Sequence, residues 1–198
     1  MKYLIRQSAV IVLMMTFLVG SAVADDVTDI IKSALEAYEN GEYSNAAEDL
    51  SYAMELIKQK KGENLKDYFP KPLSGWKAED ASSQTAGSGM MGGGTVVSRH
   101  YKKGSAEIMI NMVTDSPMMQ GFAMMMGNPM FATSDGGKMI RIKRQKAMLK
   151  YDKNEQSGEL SMMVANRIMV TLAGEGISED ELMAYAKAID IRKLSNMQ

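Results

Sequence analysis

KMIRIKRQKAMLKYDKNEQSGELSMMVANRIMVTLAG, residues 138–174, reads as strand after strand with almost no chain between them. In 138–144, Ile140 and Ile142 alternate with Arg141 and Lys143, so one face is apolar and the other wet. Residues 147–151 follow nearly without a break, and Asp152-Lys153-Asn154-Glu155 then turns the chain into 158–164, where Leu160, Met162 and Val164 align. Ala165-Asn166 is a tight turn into 167–173, with Ile168, Val170 and Leu172 on one side. A parallel crossover needs a dozen or more residues, so connections this short require antiparallel pairing.

The same pattern extends upstream. Residues 95–101 turn at Lys102-Lys103-Gly104 into 107–113, which sets Ile108, Ile110 and Met112 on one face. Between the two sets of strands lies SPMMQGFAMMMGNPMF, residues 116–131, which predicts a short helix. Ser116 can cap it, Pro117 suits its first turn, and Gly127 with Asn128-Pro129 ends it. Met118, Met119, Phe122, Met125 and Met126 recur on one broad face of that helix, which should lie against a sheet or offer a soft surface to a partner. Downstream, Ser178 and Glu181 form a capping box for a last helix with the stripe Leu182, Met183, Tyr185, Ala186 and Ile189. The layout is similar in element order to the PsbP-type sandwich of exported photosynthetic proteins; no motif accompanies that likeness, and no function comes with it.

The N-terminus predicts export. Lys2 and Arg6 precede the apolar run AVIVLMMTFLV, residues 9–19, and Ala22-Val23-Ala24 offers a cleavage site before Asp25. The run is too short to span a bilayer comfortably, so no stable membrane anchor is expected after processing. Loss of Lys2 and Arg6 lowers the basic count from 23 to 21 against 24 acidic residues, taking the formal charge from -1 to -3. That balance argues against a nucleic-acid surface. There is no cysteine to form a disulfide, so stability has to come from the core.

Residues 27–61 read as two helices, with Ile30, Ile31, Ala34, Leu35 and Tyr38 on the first and Ala46, Ala47, Leu50, Ala53, Met54 and Ile57 on the second. Asn40-Gly41 breaks them apart and Ser44 can cap the second, which makes a helical hairpin. Here the residues resemble a tetratricopeptide unit, since Ala34, Gly41, Tyr43, Ala46, Leu50 and Ala53 fall at its packing positions. Lys58 stands where that family usually has proline, and no second copy of the pattern is present. The resemblance implies protein–protein contact, although one hairpin cannot cover its own apolar face.

The fold class expected is therefore α+β, an N-terminal helical hairpin followed by an antiparallel meander of about six or seven strands covered by two helices. The divisions are 1–24 signal peptide, 25–64 hairpin, 65–75 proline-containing linker and 76–198 α+β domain. The prolines at Pro70 and Pro72 mark the linker, and Trp76 is expected to anchor the start of the α+β domain to the core.

Chemistry is sparse. Gly87-Ser88-Gly89-Met90-Met91-Gly92 spells G-x-G-x-x-G, but the strand-forming Thr95-Val96-Val97 comes after it where a helix is required. His100 is the only histidine, no nucleophile motif accompanies it, and one histidine without cysteine cannot build a zinc site. Glu179-Asp180-Glu181 is explained by a helix N-terminus. Methionine stands out at 21 of 198 residues. The expectation is a non-enzymatic periplasmic binding or accessory protein without a cofactor. Its contact surfaces for a protein or a ligand would be the helical hairpin and the set Met118, Met119, Phe122, Met125, Met126 and Met130, and the hairpin could instead pack on its own domain or on a second copy. The alternative is a Cu(I) carrier using thioethers, drawn from Met90, Met91, His100, Met118, Met119, Met125 and Met126.

Overall fold

The computed structural model describes residues 26–86, 94–127 and 136–197. They fall into two compact units, Met1–Ala53 and Met54–Gln198, with one helix running through the division.

In the first unit, α1 (Asp26–Glu39) and the start of α2 (Tyr43–Lys66) form the expected hairpin. Gly41 takes φ 82°, and Gly41 N–H bonds Tyr38 C=O at 3.1 Å while Glu42 N–H bonds Ala37 C=O at 2.8 Å. This pairing is the left-handed glycine stop that satisfies the last carbonyls of α1. Ser44 does not cap α2. The helix starts a residue earlier, and the Glu42 side chain accepts a 2.8 Å hydrogen bond from Asn45. The seam between the helices is made of small residues, with Ala34, Ala46 and Ala53 at 2%, 4% and 2% exposure beside Val27. Ile31, Leu35, Tyr38, Tyr43 and Leu50 are all exposed. Periodicity groups Ala34 with Leu35, but the helices close on the alanines and leave the larger side chains flanking the seam.

In the second unit, α2 runs on to Lys66. Gly62 lets it approach β2 (Ser82–Ala86) and β3 (Gly94–Lys103), because a Cβ there would stand 2.2 Å from Ser83 Oγ and 2.9 Å from Thr95 Cγ2. The end of α2 and the chain that follows it pack on the sheet. Leu65 and Phe69 are core residues, Tyr101 donates a 2.7 Å hydrogen bond to Pro70 C=O, and Trp76 packs edge-on against Tyr185 at 5.2 Å. Trp76 anchors the segment as expected.

Among the described residues the sheet has eight antiparallel strands. After β1 (Lys77–Ala78), β2 and β3 come β4 (Ala106–Thr114), β5 (Lys138–Ile142), β6 (Gln145–Asp152), β7 (Ser157–Val164) and β8 (Ile168–Glu175), in the order β1-β3-β4-β8-β7-β6-β5, with β2 also on β3. The meander β5 to β8 is as read. Both positions of the two-residue turn Lys143-Arg144, and the first two of the three-residue turn Ala165-Asn166-Arg167, have positive φ, the geometry that matches strand twist. The pairing of β4 with β8 spans α3 (Met118–Gly127) and the whole meander, and so breaks a simple up-and-down order.

One sheet face carries the core. Val97, Tyr101, Ile108, Ile110, Met112, Leu160, Met162, Val170 and Leu172 point into it. It is covered by residues 65–76, α4 (Glu179–Ala188) and the short α5 (Ile191–Ser195). The capping box on α4 forms as expected, with Ser178 Oγ accepting from Glu181 N–H and Ser178 N–H bonding the Glu181 carboxylate at 2.9 Å. The methionine helix α3 is not in that layer. It lies against β6, and no described side chain of it joins the buried core.

Candidate functional site

Cross-strand partners share a face, so the sheet register sorts the side chains of the face opposite the core into rows. Along one row lie Val96, Val113 and Met169, with Met163 opposite Met169. The next holds Ser98, Asn111, Thr171, Ser161, Met148 and Met139. Its polar members satisfy one another, Ser98 Oγ donating to Asn111 Oδ1 at 2.7 Å and Ser161 Oγ to Thr171 Oγ1 at 3.5 Å. The third row is His100, Met109, Ala173, Glu159 and Lys150. Beyond it Glu107 faces Glu175. The face thus grades from apolar at the α3 end to charged at the other.

The charged end forms an open trough of about 470 Å³ floored by His100, Met109, Glu159 and Lys150 and edged by Glu107, Asp152, Glu155 and Glu175. Lys150 opposes Glu159 across the β6–β7 ladder, but Glu107 and Glu175 meet as like charges. On its rim Ser157 Oγ donates a long 3.5 Å hydrogen bond to the Glu155 carboxylate. Among the described residues, no three histidine, aspartate or glutamate side chains are grouped to hold a metal.

At the apolar end, Ser116 Oγ accepts from Met118 N–H at 3.3 Å and starts α3, as its sequence predicts. The approach is set by Asp115, at φ 59°, which Lys61 of α2 grips at 2.6 Å and Thr114 Oγ1 bonds at 3.0 Å. Burial pushes the Asp115 carboxyl up, but the hydrogen bonds from Lys61 and Thr114 outweigh it and the net shift is downward. Ala123 of α3 faces Met163, Arg144, Gln145, Lys146 and Asn166 across a small cleft.

The expected partner residues have different fates on this helix. Met118 is 60% exposed, while Met119 and Phe122 are half-buried. Met125 and Met126 occupy the last turn, and Met90, Met91 and Met130 lie outside the described residues. Met124, absent from the expected face, is the most exposed large apolar side chain among the described residues at 78%. His100 sits on β3, four strand spacings or roughly 19 Å from the β6 strand that α3 touches. What sequence reasoning missed is the run Met139, Met148, Met163, Met169. Met139 opposes Met148 and Met163 opposes Met169, and Met148 and Met163 are diagonal neighbours on adjacent strands.

Compared with known proteins, the chain matches no family model and no curated relative. Among the described residues, no helix is long and apolar enough to cross a membrane.

Proposed function

We propose that this chain is a non-enzymatic periplasmic binding or accessory protein, exported by its N-terminal segment, that makes contact through apolar, methionine-rich surfaces. The observation that carries the reading is α3, a ten-residue helix without a charged side chain in which Met118 and Met124 stand 60% and 78% exposed. Unbranched thioether side chains adapt to irregular apolar partners, and a patch kept free of charge in water suits such contact. The test compares the parent with a Met118→Gln, Met124→Gln variant. Binding of an apolar fluorescent dye and capture of a partner from native periplasmic extract should both fall in the variant, with melting unchanged. Equal binding by both proteins would remove α3 as the contact surface.

A second reading, a Cu(I) carrier, draws on the contiguous Met139, Met148, Met163 and Met169, since thioethers are soft ligands and the chain has no thiol to compete. Arg141, Lys146 and Arg144 nearby disfavour a cation, which ranks this reading second. Two leucine variants separate the readings, one at these four positions and one at Met118, Met119, Met125 and Met126. Leucine keeps volume and polarity but removes sulfur. On the first reading, Cu(I) raises no melting temperature even in the parent. Stoichiometric Cu(I) uptake against a strong chelator, lost in either leucine variant, would establish the carrier instead.

A further inference from the structure

We infer that the open face of the α1–α2 hairpin docks onto the same face of a second copy of this chain. The inference rests on the hairpin alone and goes beyond the reading of α3, so either can fail without the other.

Successive residues of a helix turn by about 100°. Relative to Ala34 in the seam, Ile31, Leu35 and Tyr38 therefore project to one side of α1. Relative to Ala46, also in the seam, Tyr43, Ala47 and Leu50 are rotated in the same sense on α2. The helices run antiparallel, so equal rotations bring the two stripes to the same side of the hairpin. The opposite side confirms the assignment. Ser33 and Asp49 are rotated the other way, and Ser33 Oγ donates to Asp49 Oδ2 at 2.7 Å across that face. At the turn the stripes meet, with the Tyr38 and Tyr43 rings 5.6 Å apart.

The result is one continuous apolar face with Ile31 at 44% exposure, Leu35 at 57%, Tyr38 at 62%, Tyr43 at 66% and Leu50 at 52%. No charged residue lies within either stripe. Side chains of this size and exposure present on the order of 100 Å² each, or roughly 500 Å² per copy and 1,000 Å² over a pair, about where specific interfaces begin. The lack of charge favours self-association in particular. A two-fold interface sets each patch against its own image, and any charge near its centre would meet its like. The polar Ser33–Asp49 side has no such property. Two hairpins closed this way form a four-helix layer, which covers what one hairpin cannot.

The test is sedimentation of the exported, processed chain over a range of concentrations, beside a Leu35→Glu, Leu50→Glu variant whose helical circular dichroism is checked. The parent should pass from monomer to dimer as concentration rises, and the variant should stay monomeric. A parent that is monomeric throughout, leaving the face to a different occupant, overturns the inference. So does a dimer that survives both glutamates. Because the chain has no cysteine, a second measurement is independent of that variant's folding. A bifunctional thiol reagent should link Ala47→Cys protein into dimers and fail to link Asp49→Cys protein, and equal or reversed yields would refute the geometry.

Discussion

Replacing Ala46 with leucine tests the hairpin seam most directly. Ala46 is 4% exposed and faces a seam whose other members, Ala34 and Ala53, are each 2% exposed. The added carbons have nowhere to go unless the helices part, and overpacking of that kind costs about 1–3 kcal/mol. Helix propensity cannot disguise the result, because leucine is nearly as good a helix former as alanine. Leu50→Ala, one helical turn further along α2 but 52% exposed, removes a similar volume from the flank. Within a monomer that change should cost well under about 1 kcal/mol. Its loss should appear instead in the concentration-dependent part of stability, where association adds to folding by mass action. Denaturant titrations followed by helical circular dichroism, at low and high protein concentration, separate the two effects. If Ala46→Leu melts like the parent, or if it and Leu50→Ala are equally destabilised at low concentration, the alanine seam is not where the helices meet.

Lys61→Met should cost less than about 1 kcal/mol, since the pair with Asp115 is partly exposed at both ends. It should nevertheless raise hydrogen exchange of the first amides of α3, and unchanged protection there would deny Lys61 a part in holding that helix start. Glu181 is held down to about 2 by the Lys103 hydrogen bond and the Ser178 backbone N–H. A folded value below the unfolded one means its contribution is complete above the ordinary value of 4.5 and is lost as pH falls toward about 2. At this exposure the contribution is no more than about 1 kcal/mol, and in Glu181→Gln that part of the acid dependence should be missing from urea midpoints. Ala165→Asn with Asn166→Gly, at φ 51° and 55°, should stabilise the β7–β8 turn by about 1 kcal/mol; a lower melting temperature would show that this turn is not under backbone strain. Mass spectrometry of the exported protein should find a chain beginning at Asp25, and one beginning at Met1 would refute the processing.

Local signals in the sequence carried the fold as far as local signals can. Ala165-Asn166 fixes one hairpin and Gly104 another, the latter turning with Ser105 because Lys102 and Lys103, read as part of the turn, extend β3; a short connection leaves the flanking strands only one way to pair. The α4 capping box was legible for the same reason, its two hydrogen bonds spanning only three residues. The β4–β8 ladder was not, since its partners stand about 60 residues apart in the chain and nothing local to either strand names the other. Ser82–Ala86 forms β2 with no apolar alternation to announce it. Its polar sequence SSQTA suits an edge position, paired on one side to β3 and lying where Gly62 lets α2 come close.

Methionine shows where reading of the site had to stop. The composition reveals an excess, and alternation within β7 separates Met162, fully buried in the core, from Met163 on the opposite face, 8% exposed beside α3. Which methionines become neighbours depends on register between strands, and a shift of one residue would turn Met148 into the core and bring Ala147 out beside Met139. On α3 the limitation is different. Helical spacing defines a broad apolar arc but not which part of it rests on β6, so Met124 went unselected although it stands 78% exposed. The same side chain thus fills the core at Met112 and Met162, lies half-buried on the opposite sheet face at Met139, Met148 and Met169, and stands in water at Met118 and Met124. Filling the core requires only volume, whereas standing in water on an uncharged helix is unfavourable unless something covers the side chain. The proposed contact surface therefore rests on the exposure of Met118 and Met124 and not on the number of methionines, 21 in all.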